Sequence, residues 1–112
     1  MQLRQFEPEL FISGQITPAD IEAAAKAGIR TIVCNRPDGE EPGQPAFETL
    51  ARAAQELGIE TLYLPVGGDR TAQDQAAAFA EALATRPRPM LAFCRTGNRS
   101  QMVTAAARAL PR

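Results

Sequence analysis

The chain has 112 residues, 45% of them hydrophobic, and a formal net charge of −1, which suits one domain around one core. That charge balance gives no reason to bind nucleic acid or an anionic membrane surface. There is no histidine, so Ser-His and Cys-His nucleophile pairs and histidine-bound metals are excluded together.

The N-terminal stretch "MQLRQFEPELF" lacks the apolar core of a signal peptide, and no apolar run is long enough to span a bilayer. A cytoplasmic protein is therefore expected, as one domain over residues 1–112. "ELFIS" (9–13) reads as a short strand followed by the turn "SGQ". Thr17 is an N-cap with Pro18 at the first helical position, and the helix closes at Gly28. "IRTIVCN" (29–35) is a β-branched apolar run that fits a buried strand. "RPDGEEPGQP" (36–45) is the clearest loop in the chain.

"AFETLARAAQEL" (46–57) has helical spacing and ends at Gly58. A strand "IETLYLPV" (59–66), the loop "GGDR" and a helix capped by Thr71 (71–85) come next. "PRPMLAF" (87–93) is a strand running into Cys94, and "SQMVTAAARAL" (100–110) is the last helix. Strands that alternate with helices predict an α/β fold: a mostly parallel sheet of about four to five strands, with helices on both faces. Ligands of such sheets bind beyond the C-terminal strand ends, where the loops 34–45, 67–70 and 94–99 are expected to meet.

The segment "CRTGNRS" (94–100) carries the chemistry. A tight strand–loop–helix junction points backbone N–H groups into a concavity at the positive end of a helix. Gly97 permits close backbone approach, and Arg95, Thr96, Gly97, Asn98, Arg99 and Ser100 form the predicted anion-binding loop. Arg99 offers a planar fork suited to tetrahedral oxyanions. Cys94 at the base of such a nest is expected to have a depressed pKa, with Ser100 able to donate a hydrogen bond to its sulfur. A lone cysteine is more often a buried core residue, but the coincidence of Cys, Gly, Arg and Ser at this junction favours a nucleophile.

The loop Cys94-Arg95-Thr96-Gly97-Asn98-Arg99 resembles the active-site loop of rhodanese-type sulfurtransferases, which also have four residues between the Cys and the closing Arg or Thr. Cysteine-dependent tyrosine and dual-specificity phosphatases have five, and usually a His before the Cys, where Phe93 stands here. More broadly, "SGQIT" (13–17), "NRPDGEEPGQP" (35–45), "LPV" (64–66) and "CRTGNRS" resemble the phosphatase-like domain of the beta-lactamase-hydrolase-like family. The resemblance implies a fold like that of dual-specificity phosphatases. Some members are fused to a persulfide dioxygenase and are assigned as sulfur transferases, so such an enzyme is an implied partner.

Sulfur transfer through a Cys94 persulfide is the first expectation, with a small thiol, persulfide or thiosulfate as donor and no cofactor. The alternative is phosphate-ester hydrolysis through a phosphocysteine, with Asp69 as general acid and Asp38 as second candidate. An Asp after two glycines is more often simply a turn residue. A non-catalytic anion- or thiol-binding module is the remaining class. Arg36 and Asp38 either line the pocket or tie down the Pro/Gly-rich loop as a pair. Arg95 is expected to point outward and Arg70 to reach the pocket mouth. Cys34 ends a neighbouring strand, where a buried inert thiol is favoured over a resolving one.

Overall fold

In chain order the elements are β1 (Arg4–Glu7), β2 (Leu10–Ser13), α1 (Pro18–Lys26), β3 (Thr31–Cys34), α2 (Phe47–Glu56), β4 (Glu60–Tyr63), α3 (Ala72–Thr85), β5 (Met90–Phe93) and α4 (Asn98–Arg108). The computed structural model describes residues 1–111. Its strands form one sheet in the order β1-β2-β5-β3-β4, with β1 antiparallel to β2 and the other pairings parallel.

Alternation along the buried strands divides the core in two. Val33, Met90, Ala92, Leu10 and Ile12 face a layer built from α3 and α4, through Phe79, Leu83, Val103 and Ala107. Ile32, Cys34, Leu91 and Phe93 face the opposite layer, where Ile21 and Ala24 of α1 meet Leu50 and Ala54 of α2. Helices thus cover both faces, and β3 and β5 are buried at every position, with only the Thr31 hydroxyl, bonded to Pro87 O, breaking their apolar run.

Both α1 and α3 begin with a capping box: Thr17 with Asp20, and Thr71 with Asp74. The strand β1 was not predicted, because "RQFE" is largely exposed and shows no apolar alternation. It is held by backbone pairing to β2 across a turn in which Glu9 adopts a left-handed φ of 61°, a position no glycine marks.

The feature that builds the site is the register. Ser13 pairs with Phe93, Phe93 with Cys34, and Cys34 with Tyr63, so the four parallel strands end in one row. The segments that follow them leave the sheet at the same edge, and β5 lies at its centre.

Candidate active site

Cys94 follows β5 directly and is 1% exposed. Its sulfur accepts a hydrogen bond from the Gly97 N–H at 3.1 Å. Gly97 has φ 95° and is the N-cap of α4, which has no side-chain cap. The helix therefore starts at Asn98, two residues earlier than the sequence suggests, and the Cys94 sulfur takes the place a capping oxygen would fill. Burial pushes the Cys94 thiol up, but the backbone N–H groups of Ser100, Thr96, Arg99 and Gly97 outweigh it and leave the pKa below the ordinary thiol value.

The loop keeps this shape because its outer side is braced. Gln15 N–H donates to the Arg95 carbonyl at 3.1 Å, and a Cβ on Gly14 would sit 2.9 Å from that oxygen. The "SGQ" turn is therefore the seat of the Cys loop, and Gly14 is required by close approach.

Asn35 joins three of the strand-end segments. Its N–H donates to Phe93 O at 2.8 Å, its Nδ2 to Leu64 O at 2.8 Å, and its carbonyl accepts from Val66 N–H at 2.9 Å. Its Oδ1 accepts the Ser100 hydroxyl at 2.8 Å. The predicted hydroxyl contact to sulfur is thus replaced: the Ser100 side chain goes to Asn35, and its backbone N–H, in the first turn of α4, helps lower the Cys94 pKa.

Arg99 donates from Nη1 to Glu40 Oε2 at 2.7 Å and to Val66 O at 2.8 Å, and from Nη2 to Glu40 Oε1 at 2.9 Å. The Arg99 guanidinium holds the Glu40 carboxyl down at about 2. Arg36, 2% exposed, donates to Glu40 Oε1 at 2.9 Å, Glu41 Oε1 at 3.0 Å and Gln15 Oε1 at 3.1 Å. Burial opposes its charge, but the two carboxylates raise its pKa. Together Arg36, Glu40, Glu41, Arg95 and Arg99 line an open cleft of about 400 Å³.

The remaining candidates separate into two groups. The expected Arg36–Asp38 pairing gives way to Arg36 with Glu40 and Glu41, while Asp38 Oδ1 accepts Phe47 N–H at 2.9 Å at the start of α2. The Asp38 N–H is itself held by the Tyr63 hydroxyl at 3.0 Å. Asp69 and Arg70 lie exposed on a turn closed by reciprocal Gly67–Arg70 backbone bonds, outside the cleft lining. Thr96 and Asn98 are exposed at the loop tip, with Asn98 N–H donating to Thr96 Oγ1 at 3.4 Å.

Cys34 donates to the Arg36 carbonyl at 3.3 Å, and burial pushes its thiol up to about 12, so it stands protonated beside the site. Sequence reasoning missed Glu40 and Asn35. The four-residue step from Arg36 to Glu40 was the available signal for the first.

Over residues 2–111 the chain matches the family described as beta-lactamase hydrolase-like protein, phosphatase-like domain. A beta-lactamase hydrolase-like protein of Xylella fastidiosa is 34% identical over 105 residues, which cover 94% of this chain and 24% of that protein. The chain thus spans about a quarter of the length of the curated relatives it matches. A solved structure from Neisseria meningitidis, provisionally named a phosphatase, is 36% identical, with a TM-score of 0.81, covering 96% of this chain and 78% of that one. The core catalytic domain of the PP-IP phosphatase SIW14 from S. cerevisiae shares the fold at 13% identity and a TM-score of 0.63, covering 96% of this chain and 78% of that one. With the strand row, the Cys94 nest and the braced "SGQ" turn in place, this chain belongs to the beta-lactamase hydrolase-like family, as a phosphatase-like domain.

Proposed function

We propose that the domain is a cysteine-dependent phosphohydrolase. The Cys94 thiolate attacks phosphorus, the alcohol or phenol oxygen leaves with the bond's electron pair and gains a proton, and water then cleaves the phosphocysteine to free phosphate and thiolate. The observation that carries this reading is a buried sulfur that caps α4, surrounded by four loop N–H groups and adjoined by Arg99. The same N–H groups are suited to the equatorial oxygens of a transferring phosphoryl group. The phosphatase names of the Neisseria and yeast neighbours support the same reaction class.

Protonation of the leaving oxygen is the demanding step. Asp38 is engaged at α2, Glu40 is held ionised by Arg99, and Glu41 is paired with Arg36. Asp69, exposed on its turn, is the candidate acid that remains available. Esters with acidic leaving groups are therefore the substrates of choice. Turnover of 4-methylumbelliferyl phosphate by the chain, abolished in Cys94→Ser and reduced in Asp69→Asn, is the expected result. Undiminished turnover in Cys94→Ser would end the nucleophile assignment.

A second reading, sulfur transfer, is favoured by the four-residue spacing from Cys94 to Arg99 together with the commitment of Asp38, Glu40 and Glu41 elsewhere. It needs no acid: Cys94 takes the outer sulfur of thiosulfate, sulfite departs, and cyanide or a thiol removes the sulfur from the persulfide. A gain of one sulfur on Cys94 after thiosulfate treatment, reversed by cyanide, selects this reading. Its absence alongside ester turnover selects the first.

A further inference from the structure

A guanidinium has five N–H donors in fixed directions. Both Nη1 hydrogens of Arg99 are committed, to Glu40 Oε2 and Val66 O, and one Nη2 hydrogen goes to Glu40 Oε1. The Nε hydrogen and the second Nη2 hydrogen remain, side by side along one edge of the plane. That edge is the pair with which an arginine grips two oxygens of one anion. Cys94 lies close enough to Arg99 for its charge to raise the Arg99 pKa, and none of the three Arg99 hydrogen bonds goes to the sulfur.

Glu40 is itself fixed. Its Oε1 also accepts Arg36 Nε at 2.9 Å, and buried Arg36 is held by Gln15 and Glu41. The Glu40 backbone N–H donates to Gln44 Oε1 at 3.0 Å, and Gln44 Nε2 ties to Pro37 O at 2.9 Å. Glu40 takes side-chain hydrogen bonds only from the two guanidinium groups, and no amide of the Cys94 loop donates to it. It therefore does not occupy the anion position as a competitor would.

We propose that Glu40 is a positioning residue for the chemistry at Cys94: it grips Arg99 by the outer fork, backed by Arg36, so that the Nε–Nη2 edge is presented to a tetrahedral oxyanion bound over the sulfur. The inference rests on the reading of Cys94 as a nucleophile under an anion. It applies equally to a phosphoryl group and to thiosulfate, which share terminal oxygens at tetrahedral angles.

The test is a double-mutant cycle on the full chain with Glu40→Gln, Arg99→Ala and the pair. Orthovanadate, and separately thiosulfate, would be titrated as protectants of Cys94 against the uncharged alkylator iodoacetamide, alongside kcat and KM for 4-methylumbelliferyl phosphate. Glu40→Gln should weaken vanadate protection about tenfold or more and lower kcat more than it raises KM, in keeping with a bidentate contact made to the transferring group. In Arg99→Ala, adding Glu40→Gln should cost nothing further. Alkylation without anion should stay within about twofold of the parent, since the N–H nest is independent of Glu40.

Unchanged or tighter protection in Glu40→Gln would overturn the proposal, as would an undiminished effect of Glu40→Gln in the Arg99→Ala background. If Glu40→Gln does not fold, Glu40→Asp, too short to span both nitrogens, is held to the same outcomes. Should the parent chain fail to turn over the ester, the phosphohydrolase reading falls while the protection cycle still judges Glu40. If thiosulfate protects and vanadate does not, the anion served by this edge is the sulfur donor.

Discussion

The Ser100 hydroxyl donates to Asn35 Oδ1 at 2.8 Å, and both residues are fully buried. The serine that follows the anion loop is therefore joined to the end of β3, while its backbone N–H helps lower the Cys94 pKa. Replacing Ser100 with Ala leaves the Asn35 oxygen unpaired in the core. The expected cost is about 1–3 kcal/mol of stability by urea denaturation. Cys94 alkylation at neutral pH should fall much less than in Arg99 or loop variants. A collapse of thiol reactivity at full stability would place the hydroxyl on sulfur after all.

The two thiols should differ sharply in reactivity. Cys94 lies below its ordinary value of 9.0, whereas Cys34 is pushed up to about 12 by burial. Iodoacetamide at neutral pH is expected to label Cys94 alone in the native chain and both in urea, read by peptide mass spectrometry. The linked stability follows the same division. Deprotonated Cys94 contributes stability fully above pH 9.0, lost as pH falls through its folded value; protonated Cys34 contributes below pH 9.0, lost as pH rises toward about 12.

Acid should report on Glu40. Its folded value of about 2 lies below 4.5, so the ionised carboxylate contributes stability that is fully present above pH 4.5 and lost as pH falls through about 2. The stability difference between the parent chain and Glu40→Gln should be constant near neutrality and close over that acid window. A difference independent of pH down to 2 would mean that the charge of Glu40 is not what Arg99 and Arg36 use.

Gly14→Ala probes the brace beneath the loop. Its Cβ would approach the Arg95 carbonyl to 2.9 Å, a backbone contact that must shift one segment or the other. Overpacking of this kind costs roughly 1–3 kcal/mol, and the displaced loop should hold the Cys94 thiolate less well. The expected readout is a rise in the pH midpoint of alkylation together with a lower urea midpoint.

Much of this arrangement was legible in the chain. The largely apolar runs of β3 and β5 marked buried parallel strands, and threonine caps marked α1 and α3. Cys94, Gly97 and Arg99 announced an anion loop because the chemistry is local to a few consecutive residues. What escaped was set by distant partners. β1 depends on pairing with β2 and not on its own pattern. Glu40 is one of two adjacent glutamates in a Pro/Gly-rich loop, and only the fold decides which of them meets an arginine 59 residues away. Asn35 resembles any polar residue at a strand end until Ser100, Leu64 and Phe93 converge on it.

The span of these contacts bears on how the site comes into being. The nest around Cys94 is made by residues 94–100, but its brace comes from Gln15, farther along the chain from Arg95 than Glu40 is from Arg99. The grip on Arg99 requires Val66 and Glu40, 33 and 59 residues away. All these contacts close long loops, whose entropic cost grows with length. During refolding, thiol reactivity and anion protection should therefore return together with the global fold.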